Sequence, residues 1–317
     1  MKRYKLLRLS GEIIFMIVLG IFIGTCYNNI INKSRKSDLA LANKVLDHGI
    51  GLIVYKNNTK IENQFNLNLN KGDTFNYNLK IINDSDDNTN FILTAYLDYN
   101  QIEFDAVKPY INTKQYNFNV NARDSEMIPI KFNNSILNIE GLHILNFIIY
   151  QSNTRDNSYS TSMVARYNLI INNDALIKPK NITNINSYPN TTRKFIGIAL
   201  NSSIIDNNVK SEVDVIKCKQ GEKISIPIVA GGYPNTNQYL LWITLNKNQY
   251  KFNDENFIFL GIEPNQIISS KISLIAPKEK GVYELQAYLT TTPWEKLSKY
   301  ISGDVDTSFH KISLIVE

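Results

Sequence analysis

Apolar and polar residues alternate along much of this chain with a period of two. In Phe75, Tyr77, Leu79 and Ile81 the apolar side chains fall on one side, with Thr74, Asn76, Asn78 and Lys80 on the other. Such a pattern predicts a strand with one buried face in an antiparallel sheet. The same pattern returns further on. Gly72–Ile81 is echoed by Gly221–Ala230, and Phe91–Phe104 by Tyr239–Phe252, at offsets of 221 − 72 = 149 and 248 − 100 = 148. Gly141–Tyr150 is echoed from Gly281, where the offset is 281 − 141 = 140, so the second copy is several residues shorter in its middle. Loops absorb such differences and strands do not. Val164–Ile171 and Phe309–Val316 read as the closing strands.

Each copy holds roughly seven short strands in about 120–140 residues, the size of one sandwich domain. Turn-rich stretches separate the apolar runs, among them Asn-Asp-Ser-Asp-Asp-Asn at 83–88 and Tyr-Pro-Asn-Thr at 233–236. The predicted fold class is all-β: two tandem Ig-like antiparallel β-sandwich domains behind an N-terminal transmembrane or signal-anchor helix. The organisation resembles the Ig-like accessory domains of bacterial surface proteins. It departs from true immunoglobulin domains because Trp242, on a central-strand pattern, has no flanking Cys pair. The expected boundaries are 48–172 for the first domain and 191–317 for the second. A linker at 173–190, rich in Pro, Asn and Ser, joins them.

The N-terminus changes the picture. Residues 1–12 carry Lys2, Arg3, Lys5 and Arg8 and read as a basic cytoplasmic stub. The apolar run that follows, taken as 13–30, reads as a transmembrane signal-anchor, and 31–47 as a juxtamembrane segment with a short helix. Two alternatives stand beside it: a cleaved signal peptide, and a lipoprotein acylated at Cys26. The bulk of the chain is then extracytoplasmic, on a single-pass membrane protein.

Composition narrows the partners. Lys+Arg of 34 against Asp+Glu of 29 gives a formal charge of +5, and part of the excess belongs to the basic stub. No basic stripe runs along the repeats, so nucleic acid is a poor partner. Cys26 and Cys218 are the only cysteines and lie in different segments, so the domains stand on core burial rather than a disulfide. Heavy use of Asn, Ile, Lys and Tyr is the usage of an AT-rich bacterial genome.

No pattern for catalysis emerges. His48, His143 and His310 are far apart and lack ligand spacing. Ser308-Phe309-His310-Lys311 matches Ser-x-x-Lys only formally, on a strand-like segment. The acidic 83–88 loop lacks the spacing and central Gly of calcium loops. Trp294 is different: Thr290–Leu297 interrupts the strand pattern and puts this Trp on a loop, where exposed aromatics mark a ligand or partner surface. Tyr233 joins it if both loops lie at one end. The expected role is therefore non-enzymatic and cofactor-free: adhesion, assembly or scaffolding with a protein partner in the envelope. A module binding cell-wall glycan through Trp294 and Tyr233 is the alternative, and an enzyme with an unrecognised site is the remote one.

Overall fold

In the computed structural model, the described residues run from 50 to 317, without 57–58, 62–65, 107–110, 133–136, 152–161, 176–186, 190–194, 206–207, 212–213, 297–304 and 308–310. The stub, the anchor, Cys26, His48, His310 and most of the linker lie outside them. The described residues contain strands and turns, with no helix long and apolar enough to cross a membrane.

The first half comprises β1 (Ile50–Lys56), β2 (Thr59–Lys60), β3 (Asn66–Leu69), β4 (Phe75–Asn83), β5 (Thr89–Leu97), β6 (Asn100–Ile102), β7 (Phe104–Ala106), β8 (Ile111–Thr113), β9 (Tyr116–Val120), β10 (Asp124–Phe132), β11 (Gly141–Gln151) and β12 (Ser162–Ile171). The second comprises β13 (Ser187–Pro189), β14 (Gly197–Leu200), β15 (Ser202–Ile205), β16 (Asn208–Ser211), β17 (Val215–Cys218), β18 (Lys223–Gly231), β19 (Gln238–Leu245), β20 (Asn248–Tyr250), β21 (Phe257–Gly261), β22 (Gln266–Ile275), β23 (Gly281–Thr291), β24 (Val305–Thr307) and β25 (Ile312–Val316).

The halves repeat one topology. One sheet of the first runs β2-β1-β4-β10-β7-β8 and the other β3-β12-β11-β5-β6, with β9 also on β5. The second half answers with β14-β18-β22 and with β17-β25-β23-β19-β20, β21 lying on β19. Even the two parallel pairings match, β3 with β12 and β17 with β25.

Alternation explains each core. Phe75, Tyr77, Leu79 and Ile81 of β4 turn inward against Leu93, Ala95, Phe147 and Leu169 of the facing sheet. Ile224, Ile226 and Ile228 of β18 meet Leu241, Ile243, Leu285 and Leu314 in the same way. Burying each such side chain contributes about 1.5–3 kcal/mol.

The copies differ at two places. The β7–β8 hairpin has no counterpart, because the chain turns tightly from Phe252 to Glu255 instead and enters β21. That accounts for the shorter second copy. Ser187–Pro189, within the segment read as a linker, pair with Gln266–Ile268 of β22 and extend the second half's sheet. Gly231, which stands where the first copy has Ile82 (231 − 149 = 82), is required by packing. A Cβ there would run into the backbone carbonyl of Phe195.

Candidate functional site

One face of each half packs against the other half, and this seam concentrates the unusual chemistry of the molecule. From Ile50 on, Asp84–Asp86 aside, the chain forms one compact unit. The expectation of sheets with one buried face fails for β5, β11, β19 and β23. In β11 every residue from Gly141 to Tyr150 is buried. Leu145, Phe147 and Ile149 enter the first half's core, while Ile144, Ile148 and Tyr150 join a third cluster with Tyr96, Tyr99, Leu240, Trp242 and Tyr288. Trp242 therefore faces the seam and not the core of its own half. Its ring stacks on Tyr288 at 5.0 Å and 12°, and tilts against Tyr96 and Tyr99.

The seam has an approximate twofold character. Gln101 and Gln249 are separated by 249 − 101 = 148 residues, the repeat offset. The backbone N–H of each donates to the side-chain Oε1 of the other, at 2.7 Å both ways. Gln249 Nε2 also donates to the Tyr99 carbonyl at 2.7 Å. The turns that present these residues are equivalent. Asp98-Tyr99 and Asn246-Lys247 all have positive φ, as a two-residue hairpin of the type I′ kind requires. Asp98 Oδ1 accepts from Ile144 N–H at 2.9 Å, and Asn246 Oδ1 from Glu284 N–H at 2.7 Å.

Equivalent positions are then used differently. Tyr99 inserts into the seam, its ring against Trp242, Phe257 and Trp294 and its hydroxyl donating to the Pro293 carbonyl at 2.6 Å. Lys247 places its ammonium 5.8 Å from the centre of the Tyr150 ring. Tyr150 in turn accepts a hydrogen bond from the Tyr288 hydroxyl at 2.9 Å. Burial pushes the four seam tyrosines, Tyr96, Tyr99, Tyr150 and Tyr288, upward in pKa, so they stay neutral.

Arg166 of β12 is 6% exposed and clamps the 291–295 loop. Its guanidinium donates to the carbonyls of Thr291, Thr292, Pro293 and Glu295 at 2.9–3.2 Å. Among the described residues its Nε–H has no acceptor, and the Asn146 amide, Trp242 Nε1 and Thr290 Oγ1 are likewise buried without a protein partner.

The residues expected as a contact pair are placed as follows. Trp294 lies on the loop after β23, half-buried, its ring against Tyr99 and Phe259 at 5.8 and 5.1 Å. Tyr233, also half-buried, packs against the second half's core, and its N–H donates to the Tyr239 hydroxyl. A Thr292 N–H to Gln238 carbonyl bond of 3.0 Å ties the bases of the two loops, but the rings belong to different clusters. His143 is buried in β11, with Nδ1 2.6 Å from Asp98 Oδ2 and Nε2 2.8 Å from the Ile139 carbonyl. Cys218 is a buried free thiol whose pKa burial raises. No group of three or more His, Cys, Asp or Glu fit to hold a metal occurs among the described residues.

Sequence reasoning missed Tyr99, Gln101, Arg166 and Gln249. A signal was present: Phe91–Leu97, Leu142–Tyr150 and Tyr239–Leu245 are nearly unbroken apolar runs, the mark of strands buried on both faces.

No protein-family model matches this chain, and no curated protein does. Solved structures give distant likenesses. A red sea bream transglutaminase aligns over 84% of this chain at 11% identity with a TM-score of 0.23, and the chain spans 31% of its length. The periplasmic chaperone SfaE aligns over 84% of this chain and 100% of its own at 10% identity and a TM-score of 0.27.

Proposed function

We propose that this protein is a non-enzymatic scaffold of two Ig-like β-sandwiches. It is held at a bacterial membrane by its N-terminal segment and works outside the cytoplasm in adhesion or envelope assembly. The Ig-like assignment is supported by strand order. In chain order β1, β4, β10 and β7 stand as the A-B-E-D sheet, and β12, β11, β5 and β6 as G-F-C with an added C′ strand. The observation that carries the scaffold reading is the seam. Aromatic packing, the paired glutamines and the Arg166 clamp join the halves into one body. Two modules that only recognised ligands independently would need no such joint, since inter-domain contacts in tandem modules default to small and polar.

The test is gentle solubilisation of the full-length chain from membranes, followed by cross-linking and identification of what accompanies it. A defined envelope protein in stoichiometric amount supports the reading. Recovery of the chain from the soluble fraction, alone, overturns it. The tie between the Tyr233 and Trp294 loops favours a second reading, in which that end of the second half meets a partner or a glycan. In that case Tyr233→Ala abolishes capture while the fold persists.

A further inference from the structure

The strongest feature outside the seam is a groove in the second half, enclosing about 520 Å³ between the Tyr250–Asp254 turn and the end of β22. Three lysines from separate segments line it: Lys223 at the start of β18, Lys251 after β20 and Lys278 after β22. All three are exposed. Asp254 is the single carboxylate among the lining residues. Tyr250 and Ile275 form an apolar wall, and Ile275 is 53% exposed. The Tyr250 hydroxyl, donating to the Ile275 carbonyl at 2.7 Å, fixes that wall.

We propose that this groove binds a phosphate-bearing anion. Three lysines around one groove suit phosphate as point charges, whereas paired recognition of carboxylate favours the arginine fork, which the groove's lining lacks. The volume lies within the range of ligand sites and exceeds one phosphate, so the ligand carries several phosphates or a phosphodiester chain with an apolar part against Tyr250 and Ile275.

The repeat supplies the internal comparison. The positions of Lys223, Lys251 and Lys278 are held in the first copy by Thr74, Glu103 and Asn138, at offsets of 223 − 74 = 149, 251 − 103 = 148 and 278 − 138 = 140. The same topology therefore forms without any of these lysines, and with a charge reversal at one of them. A lysine set that the scaffold does not require, placed around a groove, marks a difference of use between copies. This inference stands apart from the scaffold reading.

The experiment is calorimetric titration of the full chain at low ionic strength, with tripolyphosphate in one arm and the phosphodiester glycerophosphoglycerol in the other. The expected result is saturable binding of at least one probe, weakening with salt. The triple variant Lys223→Thr, Lys251→Glu, Lys278→Asn, which carries the first copy's own residues, should fold as the parent and bind roughly tenfold more weakly or worse. Tighter binding of glycerophosphoglycerol assigns the phosphodiester of a lipid or polymer, and tighter binding of tripolyphosphate a free polyphosphate. Either supports the site. Absence of binding to both, an unaffected triple variant, or an equal loss in the distant Lys60→Gln control overturns it.

Discussion

Tyr99 holds a backbone φ of 64°, a left-handed conformation that a bulky side chain adopts at a cost of about 1–3 kcal/mol. The cost is offset because the same turn sets its ring between Trp242, Phe257 and Trp294. Tyr99→Phe removes only the bond to the Pro293 carbonyl and should lower unfolding free energy by about 1 kcal/mol. Tyr99→Ala empties the seam and should cost about 3–5 kcal/mol in a urea titration. The neighbouring residue supplies a pH dependence. Nε2 of His143 faces a carbonyl, which only accepts, so it carries hydrogen, and Nδ1 faces the Asp98 carboxylate. Burial disfavours the charged ring, but the Asp98 and Ile139 partners outweigh it and the pKa is raised above 6.5. A raised pKa means that folding stability from this pair is complete below about 6.5 and is lost as pH climbs through the folded-state value. The urea midpoint of the parent should therefore fall across that interval, and His143→Gln should flatten the profile there. A parent profile no steeper than the variant's would refute the ion pair.

At the scale of elements, the repeat was legible because period-two alternation and the turn residues are local properties. Phe75–Ile81 and Ile224–Ile228 announce one strand each, and the strand order then repeats. The seam was harder to read. A strand buried on both faces is nearly uniform in hydropathy, as Tyr239–Leu245 is, and such a run names no partner for its second face. Trp294 looked like an exposed loop residue because its loop breaks the pattern. What half-buries it comes from Tyr99, nearly 200 positions earlier in the chain, and from Phe259. Separation of that kind has no local trace. Gln101 and Gln249 lie within the echoed blocks, but repetition alone does not say that equivalent residues meet. Their mutual bonds predict coupling: a double-mutant cycle of Gln101→Ala and Gln249→Ala should show an interaction energy of about 0.5–3 kcal/mol, where two sites in separate modules would add.

At the scale of the molecule, each half has its own two-sheet core, and a third cluster lies between them. Two independent cores joined by a tether would melt in two steps. Here Trp242 is wholly buried in the shared cluster, and Arg166 spends its donors on the other half's loop, so unfolding one half strips the seam face of its neighbour. The parent should therefore unfold in one calorimetric transition, with calorimetric and van't Hoff enthalpies equal. Trp242→Ala removes the largest seam side chain, at a cost of about 3–5 kcal/mol, while leaving both inner cores intact. Its transition should split into two, each with roughly half the parent's enthalpy, since enthalpy scales with residue number. Tyr167→Ala, a substitution in the first half's inner core, should lower the whole transition without splitting it, because the seam still couples the halves. Two transitions already present in the parent would mean that the seam does not bind the halves together, and the scaffold reading would lose the observation that carries it.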